Sequence, residues 1–92
     1  MLYLITYDIP NDKRRKTISI LLDEYGIRVN YSVYECKLNV TKRNKLKKEI
    51  EKIINKKEDN IRFYSLCKNC LTKSFVLGTN PPIFQEEDLF FL

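Results

Sequence analysis

Asp8 ends an apolar run, Met1–Tyr7, and four cations, Lys13, Arg14, Arg15 and Lys16, follow the turn Ile9-Pro10-Asn11. A carboxylate at the exit of a buried strand beside arginines is a means of setting a divalent metal next to a phosphodiester. Mg²⁺ takes oxygen ligands in an octahedron and commonly keeps one or two carboxylates plus waters. One Asp8 is a thin site; two copies across a two-fold axis would complete it. Such a metal polarises a phosphoryl oxygen and lowers the pKa of a bound water. The alternative for Asp8 is a structural role, capping the turn or pairing with an arginine, because an unpaired buried charge is costly.

The cations carry a second signal. Positive charge at a helix start opposes the macrodipole, whereas helix N-termini attract anions. Arginines placed there suggest a phosphate-binding end, or else a solvated charge run. At 100° per residue Arg14 shares a stripe with Ile18 and Leu21, so it is expected to lean towards the sheet near Asp8. Arg15 lies at the edge of that stripe and Lys16 points away. Arg28 is a further candidate phosphate contact. Tyr7 and Tyr34 either stack on a base and orient a water, or are core. Lys45, Lys48 and Lys52 lie on one helix face, as a surface that tracks a nucleic-acid backbone or as an ordinary solvated face interrupted by Glu49 and Glu51.

The 92-residue chain contains no histidine. That excludes His–Cys and His–Ser nucleophilic pairs, His-ligated zinc and histidine as general base. Its three cysteines, Cys36, Cys67 and Cys70, are an odd number without a secretory signal, which favours reduced thiols and a cytoplasmic location. Cys67 and Cys70 form a C-x-x-C, but no second pair completes a zinc site within the chain. They are read as small, buried, reduced cysteines. A formal charge of +5 favours a polyanionic partner. There is no apolar run long enough to span a membrane, and no membrane partner is expected.

These residues need elements to hold them. Met1–Tyr7 is apolar or aromatic on both faces, as a covered central strand is. Asn11 or Asp12 caps a helix whose buried stripe is Ile18, Leu21, Leu22 and Tyr25, with Gly26 as its left-handed end. Short strands are expected at Ile27–Asn30 and Val33–Leu38, with a bend at Tyr31–Ser32. Thr41 caps a second helix with stripe Leu46, Ile50, Ile53 and Ile54. Asp59-Asn60 turns into a strand, Ile61–Leu66. Lys73–Gly78 reads as a fifth strand, and Pro81-Pro82 stops it. The order is βαββαβ plus an extra C-terminal strand: a ferredoxin-like α+β sandwich with two helices on one face of an antiparallel sheet. Aromatic strands leave the other sheet face in need of cover, which a second copy supplies as a homodimer. The extra strand then adds to the partner's sheet edge. Residues 1–78 form the domain. Residues 79–92, apolar around Glu86, Glu87 and Asp88, form a tail that covers this chain's own core or docks a partner.

Tyr7-Asp8-Ile9-Pro10-Asn11-Asp12-Lys13-Arg14-Arg15, then Tyr25-Gly26-Ile27-Arg28-Val29-Asn30-Tyr31-Ser32-Val33-Tyr34-Glu35-Cys36, then Ile61-Arg62-Phe63-Tyr64-Ser65-Leu66, in this order and spacing, resemble the small CRISPR-associated protein two family of prokaryotes. The likeness runs from residue 1 to about residue 82. It implies a ferredoxin-like homodimer with facing sheets, the extra strand crossing between protomers, and a divalent-metal (Mg²⁺) site at Asp8 shared across the dimer. It implies two roles: a metal-dependent endonuclease, usually described as an endoribonuclease, and a scaffold that holds duplex DNA between dimers of the CRISPR integrase. Tyr7, Asp8, Arg15, Arg28 and Tyr34 fall on positions the family associates with activity. Lys13, Arg14, Arg15, Lys16 and Arg28 are the expected nucleic-acid contacts, with duplex DNA and single-stranded RNA as candidate ligands. Asn11 stands where many members carry an acid, Thr17 where some carry another arginine, and Tyr34 where phenylalanine is usual. A toxin-type ribonuclease of the virulence-associated protein D kind shares the fold and is the alternative function. An RRM-type RNA binder needs a glycine- and aromatic-rich third strand, which Val33–Leu38 lacks.

Overall fold

The computed structural model describes residues 1–78. In chain order it contains β1 (Leu2–Asp8), α1 (Asp12–Asp23), β2 (Gly26–Asn30), β3 (Val33–Lys37), α2 (Val40–Ile53), β4 (Asn60–Leu66) and α3 (Lys68–Thr72). Among these residues one antiparallel sheet runs β2-β3-β1-β4, the ferredoxin-like order that the βαββαβ pattern predicts. β1 is central, so alternation along it decides which residues meet which layer. Tyr3, Ile5 and Tyr7 join Ile18, Leu22, Tyr34, Leu46 and Ile50 in the core under the helices. Leu2, Leu4, Thr6 and Asp8 face the other way. There Leu2 is buried by Leu71 of α3, with Leu66 packed beside it.

The helices begin where a short polar side chain can meet a free amide. Asn11 Oδ1 accepts the Arg14 N–H at 2.9 Å, and Asn39 Oδ1 accepts the Lys42 N–H at 2.7 Å. Either bond satisfies a donor that has no partner within its helix. The cap of α2 is therefore Asn39 and not Thr41, which lies inside the first turn. Both apolar stripes face the core as expected, with Ile18, Leu22, Leu46 and Ile50 buried.

Gly26 has a different reason for being glycine from the left-handed end expected of it. α1 ends at Asp23 with Glu24 as its right-handed cap, and Gly26 opens β2 with Cys36 as its register partner. A Cβ there would lie 2.2 Å from the Glu35 carbonyl oxygen and 2.5 Å from Cys36 Sγ. The requirement is for close approach of two strands.

The end of the described chain also differs from expectation. Cys67 caps a one-turn helix, α3, and the Ser74 N–H donates back to Leu71 O at 3.1 Å. Residues 73–78 do not form the expected fifth strand in the single chain. That strand was expected to pair with a second copy's sheet edge, and it joins neither edge strand, β2 or β4, of its own sheet. Cys67 and Cys70 are exposed and not buried as expected; only Cys36 is. The expected tail, 79–92, lies outside the described residues.

Arg14 ties α1 to the turn before β4. Its Nε and Nη2 meet both oxygens of Asp59 at 2.8 and 3.2 Å, and Nη2 also reaches Glu58 at 2.8 Å. The Asp59 side chain is fully inaccessible and also accepts the Asn55 N–H at 2.8 Å. A bidentate guanidinium–carboxylate pair fixes direction as well as distance. The Arg14 hydrogen bonds hold the Asp59 carboxyl below the usual carboxylate range, against the opposing effect of burial. A carboxyl depressed in the folded state stabilises above its unfolded pKa of about 3.9 and loses that contribution as pH falls through the folded value. Arg14→Met strands the carboxylate. We expect its deficit in urea midpoint relative to wild type to be largest near neutral pH and to narrow below about pH 4 as Asp59 protonates; a deficit independent of pH would contradict this.

Candidate functional site

Two hollows meet at the end of β1, one on each face of the sheet, with Tyr7 common to both. The first, about 430 Å³, lies on the helix side and is bordered by Tyr7, Arg15, Lys16, Arg28, Tyr31 and Ser32, with Asp12 and Ser19 completing the rim. The second, about 400 Å³, lies on the opposite face between Thr6, Asp8, Asn60 and Arg62. The Tyr7 N–H donates to Ser32 O at 3.1 Å, which fastens the β2–β3 turn to the strand end at the border of the first hollow.

Arg15 folds back over the β1–α1 turn. Its Nη1 donates to Ile9 O at 3.0 Å and Pro10 O at 3.4 Å, and Nη2 reaches the Asp12 carboxylate. Arg28 leaves the edge strand β2 and lies over the Tyr31 ring, 5.9 Å from its centroid, a cation–π arrangement that restrains an exposed guanidinium. Lys16, expected to point away, lines this hollow, whereas Lys13 is exposed on α1 outside it. Arg14 is held by Asp59 and Glu58. It reaches the residue before Asn60, the register partner of Asp8.

Asp8 is exposed. The period of two along β1 places its carboxylate on the face away from Arg15, Arg28 and Tyr34. The sequence-predicted set is thus divided: Tyr7, Arg15, Lys16 and Arg28 are brought together, and Asp8 stands across the sheet from them. The cation on Asp8's own face is Arg62, whose Nε donates to Asn60 Oδ1 at 3.3 Å and whose Nη1 donates to Tyr64 Oη at 3.3 Å. Arg62 and Asn60 had no functional role in the sequence reading. Alternation along β4, with Ile61 and Phe63 on the core side, was the signal that could have found Arg62. The pairing of β4 with β1 supplies the rest.

Tyr34 is wholly buried. Its hydroxyl donates to Asp23 Oδ1 at 2.7 Å and lies 3.0 Å from Ser19 Oγ and 3.2 Å from Ser19 O. Its ring stacks on Tyr7 with centroids 6.4 Å apart. Burial holds the phenol above its usual pKa; of its hydrogen bonds, that to Ser19 opposes and that to Asp23 adds. Tyr34 therefore ties Tyr7 to α1 through its ring and its hydroxyl.

Among the described residues no three of Asp, Glu, Cys or His cluster to hold a metal. One chain offers an incoming cation the Asp8 carboxylate; the amide oxygen of Asn60, its register partner, already accepts from Arg62 Nε. That donor set is all oxygen, as Mg²⁺ prefers, and is short of ligands unless a second carboxylate joins it. The oxygen chemistry fits, and one chain's carboxylate alone leaves most of an octahedron to other ligands.

Residues 1–74 match the family described as CRISPR associated protein Cas2. A CRISPR-associated endoribonuclease Cas2 of Synechocystis is 49% identical over 80 residues, covering 87% of each chain. The crystal structure of Streptococcus pyogenes Cas2 superposes with a TM-score of 0.75 at 36% identity, over 85% of this chain and 100% of that one. A chain of a partial Cas6-RT-Cas1–Cas2 complex superposes with a TM-score of 0.77 at 39% identity, over 91% of both.

Tyr34→Phe keeps the ring and removes the hydroxyl that binds Asp23 and Ser19. We expect a stability loss of about 0.5–1.5 kcal/mol by urea denaturation, with nuclease activity retained; lost activity at unchanged stability would return Tyr34 to the chemistry.

Proposed function

The chain belongs to the CRISPR associated protein Cas2 family, and from that premise we propose that it works in CRISPR adaptation as a basic homodimer that binds nucleic acid together with the integrase Cas1 and hydrolyses phosphodiester bonds with a divalent metal at Asp8. The observation that carries this reading is the end of β1, where an exposed carboxylate and Arg62 occupy one face and Arg15, Lys16 and Arg28 ring a hollow on the other. Cations on both sides of one strand end give a phosphate backbone two routes past the same carboxylate. The nuclease name carried by the Synechocystis relative supports cutting. The Cas1–Cas2 complex among the structural relatives supports the integrase as partner.

Dimerisation is supported by the sheet face opposite the two long helices, which among the described residues α3 covers only at Leu2. Ile27, Glu35, Leu4 and Tyr64 form one cross-strand row on it; Glu35 at its centre is buried, while Tyr64 and Ile27 remain 45% and 38% exposed. Phe75, Val76 and Leu77 are also exposed. Residues 73–78 suit the role of a strand that crosses to the partner's sheet edge, where main-chain pairing and alternate side chains supply the affinity. On this reading residues 1–78 are the domain and 79–92 a docking tail.

Asp8 from each of two chains would hold the metal, Mg²⁺ by its oxygen preference. When bound, the metal supplies Lewis-acid polarisation of a phosphoryl oxygen and a water of lowered pKa. The chain's own residues do the rest. Arg62, ordered by Asn60 and Tyr64, places positive charge where negative charge gathers on a phosphoryl group. Arg15, Lys16 and Arg28 hold the flanking backbone without reading sequence. Binding therefore depends on charge count, with log K falling against log salt by about 0.9 for each phosphate neutralised on duplex DNA.

Asp8→Ala separates cutting from gripping. With purified protein, Mg²⁺, single-stranded RNA and duplex DNA, we expect cleavage to fall by about 100-fold or more, because several kcal/mol of charge stabilisation are withdrawn. Duplex binding and its salt slope should be retained. Cleavage persisting at the wild-type rate would overturn the assignment of the metal to Asp8.

A further inference from the structure

Cys67 and Cys70 take no part in the site described above. β4 ends at Leu66, and Cys67 caps the single turn of α3. The Cys70 N–H donates to Cys67 Sγ at 3.4 Å, and the two sulfurs are 3.2 Å apart. Both residues are exposed. The turn that carries them is pinned to the sheet by Leu71, buried against Leu2 beside Leu66. Two accessible thiols are thus held in van der Waals contact on an anchored turn. The third cysteine, Cys36, is wholly buried, and burial pushes its thiol up to about 12, so it serves as an unreactive internal reference.

We infer that Cys67 and Cys70 form a reversible dithiol–disulfide pair, a modification site for a hydroperoxide oxidant. The Cys67 thiolate attacks a peroxide oxygen, forms an S–O bond and breaks the O–O bond, which leaves a sulfenic acid and hydroxide. The Cys70 thiolate then attacks the Cys67 sulfur and expels the second hydroxide. The two thiol protons convert both hydroxides to water. Two thiols and one hydrogen peroxide give one disulfide and two waters, with two electrons passing from sulfur to oxygen. The order of the two sulfurs follows from their surroundings. Hydrogen bonds from the Cys70 thiol and amide hold the Cys67 thiol below its usual pKa, while the same contact raises that of Cys70. The thiolate is the nucleophile, so Cys67 attacks first and Cys70 resolves.

The test uses the full chain, fully reduced and treated with hydrogen peroxide, then alkylated and mapped by mass spectrometry. The expected product is a chain not cross-linked to another, about 2 Da lighter, linked Cys67–Cys70 and returned to full mass by dithiothreitol. Cys36 should be alkylated only after denaturation, at least about 100-fold more slowly in the native protein. Cys36→Ser should leave the reaction unchanged. In Cys70→Ser a sulfenic acid should persist on Cys67 and be trapped by dimedone, and Cys67→Ser should give much less trapping on Cys70. Disulfides between chains, sulfinic acid without a disulfide, or equal reactivity of Cys36 would overturn the inference. Equal dimedone trapping in the two single variants would overturn the order of attack.

Discussion

The alternation of side chains along β1 is the constraint on which the rest of the structure depends. β1 is flanked on both sides by antiparallel partners, so a slip of one residue would exchange its two faces completely. In the observed register Tyr3, Ile5 and Tyr7 build the core beneath the helices, and Asp8 is left exposed on the far face. The same alternation divides the cations. α1 and β2 place Arg15, Lys16 and Arg28 on the helix side, and β4 places Arg62 beside Asp8. A strand end with charge on both faces is a consequence of burying three aromatic or aliphatic side chains in a row on the other positions.

That strand end is braced by pairs within the chain. Arg14 and Asp59 hold the start of α1 against the turn into β4, which keeps Asn60 opposite Asp8. Tyr34 stands under Tyr7 and is fixed to α1 through Ser19 and Asp23. Glycine at position 26 lets β2 approach β3 closely, which sets the edge from which Arg28 reaches the hollow. Each brace acts on orientation, and orientation decides whether a guanidinium meets a phosphate.

Much of this was legible in the chain. The apolar run to Tyr7, the stripes of α1 and α2 and the turn at Tyr31–Ser32 predicted the elements and their order. Asp8 and the arginines were singled out from type and spacing alone. Non-local facts were less legible. Helical spacing turned Arg14 towards the sheet, but Asp59, 45 residues away, determines its partner. Arg62 acquires its place beside Asp8 from strand pairing. Thr41 and Asn39 are both good caps, and the backbone entry to α2 decides for Asn39. Cys67-Lys68-Asn69-Cys70 was too short a segment to declare a helical turn, and its burial depended on whether Leu71 or the thiols met Leu2. The fifth strand, expected to pair with another copy, is not formed in the single chain.

The central claim is that two chains bring their Asp8 carboxylates to one shared cation. Mn²⁺ takes oxygen ligands as Mg²⁺ does and can be counted by electron paramagnetic resonance. The most direct measurement is a Mn²⁺ titration of the full chain, with molar mass followed in parallel by light scattering. The account predicts a dimer that binds one ion for every two chains, lost in Asp8→Ala without loss of the dimer. A monomer, one ion per chain, or binding that survives the substitution would contradict it.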